Sequence, residues 1–169
     1  MMLFYILLSL VVLQRISELF LSRRNERWLR SHGAFEVGRD HYPWIVSLHV
    51  AFFLSLIVEV HGRHTTTARW WWLPFVLFLL AQLLRYWSIA TLGHRWTTRI
   101  LILPKVEPIH TGPYRFFPHP NYLAVAIELI AFPLIFQAYF TAAVFTLLNA
   151  LLMSIRIPTE RRALQQKTL

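Results

Sequence analysis

The residues of this chain whose types and spacing suit chemistry fall in two short segments. The first, Glu107 to Tyr122, reads Glu-Pro-Ile-His-Thr-Gly-Pro-Tyr-Arg-Phe-Phe-Pro-His-Pro-Asn-Tyr. Prolines at 108, 113, 118 and 120, with Gly112, break any helix here, so the segment reads as a shaped loop. Tyr114, Arg115, His119, Asn121 and Tyr122 give it groups that bind ligands or transfer protons. The second segment is the tail, with Arg156 and Glu160. An intervening helical hairpin returns the tail to the face from which the loop leaves, so the two segments can build one site.

Other chemistries are excluded by composition. Cysteine is absent, which removes thiolate nucleophiles, disulfides and cysteine-ligated metals. Only five glycines occur in the chain, and they assemble neither a P-loop nor a dinucleotide fingerprint. No His-Glu-x-x-His is present, and the one close histidine pair, His61 with His64, has no carboxylate beside it; no metal site is expected. The net charge of +9 belongs to basic residues that flank apolar spans, so no nucleic-acid partner is expected.

The elements that position the two segments are membrane helices. Of 169 residues, 56% are hydrophobic and 15% charged, and the apolar residues come in blocks of spanning length. The expected fold is all-α: one polytopic domain of about five transmembrane helices, over residues 2–21, 43–60, 71–91, 121–136 and 139–155. The last two form a hairpin that turns near Pro133 to Tyr139, because residues 121–155 are too many for one crossing. Residues 1–13 are apolar from the start, with no basic stretch before them and no cleavage site after them, and read as a retained helix. Gly33 and Gly38 interrupt the charged segment after the first span. Arg24 to Trp28 reads either as a surface helix or as a lid over a substrate entrance. Trp70 to Trp72 reads as an interfacial belt. Of the Lys and Arg residues outside the spans, thirteen fall on the side of the two large loops and the tail, against Arg63 and Arg69 on the other. The amino terminus is therefore expected outside and the carboxyl terminus in the cytosol.

Charges within the spans need partners or a purpose. Arg15 and Glu18 share a face of the first helix, Gln82 and Arg85 share one on the third, and Glu128 lies about 10 Å below Asn121 on the fourth. They read either as interhelical fasteners, Arg85 with Glu128 and Arg15 with Glu18, or as the lining of a cavity for a polar headgroup. Glu59, near the outer surface, is expected to snorkel to water.

Several motifs together carry a resemblance. Leu92-Gly93-His94-Arg95-Trp96, Ile109-His110-Thr111-Gly112-Pro113-Tyr114 and His119-Pro120-Asn121-Tyr122 precede the hairpin, and Arg156-x-x-x-Glu160 with Leu164 follows it. In this order and spacing they resemble the isoprenylcysteine carboxyl methyltransferase family over about the last 80 residues. Gln14-Arg15 and the segment Arg24 to Trp28 are similar to a short bacterial branch associated with O-methylation of alkylpyrones and alkylresorcinols.

The resemblance implies an integral enzyme of the bacterial cytoplasmic membrane. It would bind S-adenosylmethionine on the cytosolic side and methylate a long-chain or prenylated lipid taken from the bilayer. It also implies that Ile109, His110, Tyr114, His119, Pro120 and Tyr122 wrap the cofactor, while Arg156 and Glu160 match the family's carboxyl-terminal arginine and glutamate. Residue chemistry agrees: tyrosines suit an adenine wall and a sulfonium, Glu160 an ammonium, Arg156 a carboxylate, and His119 or Glu160 can act as base. Two departures stand out. Pro118 replaces an arginine that could grip a carboxylate substrate, which favours a hydroxyl acceptor unless Arg115 substitutes. Pro158, between Arg156 and Glu160, is expected to open a new helix, with Glu160 near its positive end. The rival readings are an NADPH-dependent membrane reductase of the sterol-reductase type and a non-catalytic protein that binds lipid or a partner.

Overall fold

The computed structural model describes residues 1–63 and 67–166; His64 and Lys167 lie outside them. Five helices dominate: α1 (Met2–Ser31), α2 (Tyr42–Gly62), α3 (Trp72–Leu92), α4 (Pro120–Ile135) and α5 (Tyr139–Gln166). Four are long and apolar enough to cross a membrane; α4 is a shorter apolar helix, about 24 Å at 1.5 Å per residue. Leu10, Leu13, Phe20, Val58, Leu83 and Leu151 are among the many large apolar side chains left exposed. That surface suits lipid and would not be tolerated in water. The protein is an all-α polytopic membrane protein.

At one end of the bundle, Phe4, Leu8, Phe52, Leu56, Phe132, Ile135 and Phe145 belong to the main core. The α4–α5 turn closes there. The Ala138 amide donates to the Pro133 carbonyl at 3.0 Å and Gln137 donates to Leu134 at 3.3 Å, with Gln137 left-handed at φ 56°. This pairing is a Schellman closure, and it serves carbonyls that the end of α4 leaves open.

Glu59 corrects an expectation at this end. It does not snorkel: it is 8% exposed and accepts from the amides of Phe140 and Thr141 at 3.1 and 2.8 Å and from the Thr141 hydroxyl at 2.7 Å. A carboxylate of α2 thereby caps the first turn of α5, where free amides and the helix dipole favour negative charge. Glu59→Ala is expected to cost about 1–2 kcal/mol, read as a lower unfolding midpoint in detergent; an unchanged midpoint would remove the capping role.

Nearer the other end, six polar side chains join α1, α3 and α4. Glu128 accepts from Gln82 at 2.8 Å, from Arg85 Nε at 2.9 Å and from Arg15 at 3.2 Å, and it also pairs with an Arg85 terminal nitrogen. Arg15 donates to Glu18 at 2.7 Å, and Gln14 reaches both Glu18 and Gln82. Two arginines and two glutamates neutralise one another. The adjoining space, lined by Arg15, His49, Glu128 and apolar side chains, is a cavity of about 20 Å³. It has room for a water molecule and none for a headgroup, so the fastener reading fits the geometry.

Three further features bear on the site. The helix that carries the first span does not stop at residue 21; α1 continues to Ser31, so Arg24 to Trp28 form its last turns. Good helix formers such as Arg and Glu carry it on until Gly33, at φ 84°, lets the chain turn. Pro158 does not begin a new helix either: α5 runs through it to Gln166. Packing of the tail outweighs the hydrogen bond that proline removes. Lastly, the two large loops pair as strands β1 (Phe35–Val37) and β2 (Ile100–Ile102), antiparallel with Glu36 opposite Leu101. Ile100 and Ile102 pack with Ala163, and Val37 and Leu164 border them, so the sheet is the bed on which the α5 tail rests.

Candidate functional site

The loop reaches the helices through close approaches. Gly112 has φ 57°, and a Cβ there would stand 2.5 Å from Thr91 Oγ1 and 3.2 Å from Trp87 Nε1 of α3. Only glycine fits this contact. A 3-10 turn over Gly112–Arg115 follows, and Pro120 starts α4 at a position where its missing amide costs nothing.

Four of the expected site residues converge where this loop meets the tail. The Tyr122 hydroxyl donates to Glu160 Oε2 at 2.7 Å and accepts from Arg156 Nε at 2.9 Å. The second nitrogen of Arg156, Nη2, donates to the Thr98 carbonyl at 2.7 Å. His119 Nδ1 lies 3.6 Å from Glu160 Oε2, and its ring stacks on Tyr122 with centroids 5.3 Å apart. Arg156 is 5% exposed, whereas the side chains of His119 and Glu160 retain 19% and 26%. The pair at the rim can therefore meet a ligand while the arginine stays beneath. Asn121, next to Tyr122 in the sequence, holds a buried Oδ1 without a hydrogen-bond partner among the described residues.

The remaining predicted residues divide. Burial, then the nearby Glu160 charge, pushes the Tyr114 phenol above its ordinary value, with partial relief from the Ser88 hydroxyl. Among the described residues no hydrogen bond joins Tyr114 to the four, and its phenol stays neutral. Pro120 is buried, Ile109 is half-buried and His110 is exposed; among the described residues no hydrogen bond joins His110 to the four. Arg115 and Pro118 are exposed on the loop. No group of three His, Asp or Glu side chains that could hold a metal occurs among the described residues.

Sequence reasoning missed the surroundings of Thr98. Ser22 Oγ accepts from the Thr98 amide at 2.9 Å, and Asn25 Nδ2 donates to the carbonyls of Gly93 and Trp96 at 3.1 and 2.8 Å. Glu36 binds Arg30 at 2.6 Å and Arg99 at 2.5 Å. Burial opposes ionisation of Glu36, but these two guanidiniums outweigh it and hold the carboxyl below its usual range. No sequence motif pointed to these contacts, which, apart from Arg30 with Glu36, join residues more than sixty positions apart; only the density of Arg and Glu between Arg23 and Arg39 hinted at them.

Comparison with known proteins gives the family. The chain is 41% identical over 163 residues to the uncharacterized protein YpbQ of Bacillus subtilis, covering 96% of this chain and 97% of that one. An uncharacterized protein of Haemophilus influenzae is 28% identical over 151 residues, covering 89% and 88%. No solved structure matches. The pattern of the isoprenylcysteine carboxyl methyltransferase family matches residues 72–166, which include α3, the loop, the hairpin and the tail. The chain belongs to the isoprenylcysteine carboxyl methyltransferase family and is a membrane methyltransferase.

Proposed function

We propose that this protein transfers a methyl group from S-adenosylmethionine to an oxygen of a long-chain lipid held in the bilayer, at a site facing the cytosol. The observation that carries the reading is the meeting of His119 and Tyr122 with Arg156 and Glu160. The residues present fit the cofactor: a carboxylate at the rim for an ammonium and a stacked His–Tyr pair for an aromatic wall. The orientation follows from the basic residues gathered at this end.

S-adenosylmethionine, when bound, supplies an electrophilic methyl on a sulfonium. Catalysis then rests on alignment and exclusion of water, which residues on packed helices provide. Glu160 holds the ammonium by charge. Arg156 has two nitrogens committed to protein oxygens, so it orients Tyr122 and Glu160 and does not grip a carboxylate itself. An acceptor already ionised needs no base; a hydroxyl acceptor gives its proton to His119 Nε2, the ring nitrogen turned away from Glu160. Pro118 in place of an arginine favours the hydroxyl acceptor, whose apolar chain stays between helices.

The test is incubation of the purified protein with extracted bacterial lipids and methyl-labelled S-adenosylmethionine. Label should enter the organic phase, persist through mild alkali as an ether and disappear with Glu160→Gln. Alkali-labile label would replace the hydroxyl with a carboxylate, and no labelled lipid with any extract would contradict the reading.

A further inference from the structure

The cluster that holds Glu160 does not end within the matched region. From Glu160 it runs through the Tyr122 hydroxyl to Arg156, and from Arg156 to the Thr98 carbonyl at 2.7 Å. Thr98 is itself held by residues outside 72–166. Its amide donates to Ser22 Oγ at 2.9 Å, its Oγ1 lies 3.0 Å from the same oxygen, and the Tyr42 hydroxyl stands 3.3 Å from that Oγ1. Two and five residues before Thr98, Trp96 and Gly93 are tied by their carbonyls to Asn25. Ser22 and Asn25 are each 1% exposed, on one face of α1 three residues apart.

We propose that Ser22 and Asn25 of α1 are positioning residues of the cofactor site, clamping the segment Gly93 to Thr98 so that the Thr98 carbonyl fixes Arg156 and, through Tyr122, Glu160. The inference rests on the methyltransferase reading of that site. Its physical basis is preorganisation. A carboxylate on the last turns of a terminal helix, where Pro158 removes one backbone hydrogen bond, would sample many orientations if left unsupported; binding a ligand would then carry the entropy of ordering it. A chain of short hydrogen bonds anchored in a buried helix face removes that cost before the ligand arrives. It also gives the long extension of α1 beyond the membrane span a purpose, because Ser22 and Asn25 lie in the turns that a spanning helix does not need.

The experiment is calorimetric binding of S-adenosylhomocysteine to the full-length protein in detergent, comparing the parent with Ser22→Ala, Arg156→Lys and their combination. Ser55→Ala serves as control, since Ser55 bonds Thr141 in the opposite part of the bundle. Ser22→Ala should weaken binding about tenfold, the effect of one buried hydrogen bond. Ser55→Ala should leave affinity unchanged, and the combined variant should be no weaker than Arg156→Lys alone, because both act through one chain. Parent-like affinity in Ser22→Ala, or fully additive losses in the combination, would overturn the proposal. Should Ser22→Ala not fold, Tyr42→Phe removes one hydroxyl from Thr98, and a two- to threefold loss supports the proposal while none overturns it. Failure of the parent itself to bind would instead strike the methyltransferase reading.

Discussion

Glu160→Gln is expected to lower affinity for S-adenosylhomocysteine by about 100-fold while the protein stays folded. Glutamine keeps an oxygen that can accept from Tyr122, now at 2.7 Å from the carboxylate, so the local packing survives. What is lost is the charge that pairs with the ligand's ammonium. The side chain is 26% exposed, so some of this attraction is screened, which is why the expected loss is two orders of magnitude and not more. His119 is the nearest cationic candidate, at 3.6 Å, and the change also leaves it without a carboxylate neighbour. The check is a binding isotherm for the variant beside its unfolding curve. Parent-like affinity in a folded variant would remove Glu160 from the site.

The largest effect on stability is expected from the intramembrane network. Glu128→Leu leaves Arg15 and Arg85 sharing Glu18 alone, with Arg85 3% exposed at its side chain and 3.6 Å from that carboxylate. Removing one partner of a buried ion pair strands a charge, at about 3–5 kcal/mol. Replacing Arg85 and Glu128 together, with methionine and leucine, removes both charges and fills the space with apolar atoms. The double variant should therefore be more stable than Glu128→Leu, although it carries one substitution more. Thermal unfolding in detergent distinguishes the two. A double variant less stable than the single one would mean that the network does more than balance charge between α1, α3 and α4.

Much of this architecture was legible because membranes impose few choices. Blocks of apolar residues gave the helices, and residues 121–155 were too many for one crossing, which fixed the α4–α5 hairpin. The pairing of loop with tail followed from that hairpin, and Tyr122, Arg156, Glu160 and His119 do meet. Arg85 with Glu128 was visible for a related reason: a charge in hydrocarbon needs an opposite one nearby.

The misses share a cause as well. Glu59 was read from its depth, whereas its partners are backbone amides of α5, which sequence patterns do not display. Pro158 was read from local propensity, which favours a break; the bed of Ile100, Ile102 and Ala163 under the tail overrides it. The short sheet pairs two three-residue strands from loops far apart in the chain, too little pattern to recognise. Thr98 contributes a carbonyl, a group every residue owns.

The central claim is that the loop and the tail form an S-adenosylmethionine site. Calorimetry of S-adenosylhomocysteine binding to the detergent-purified protein, with NADPH as the comparison ligand, tests it most directly. Saturable binding at one site per chain and no heat from NADPH are the expected results. Folded protein that binds neither ligand, or that binds NADPH alone, would contradict the claim.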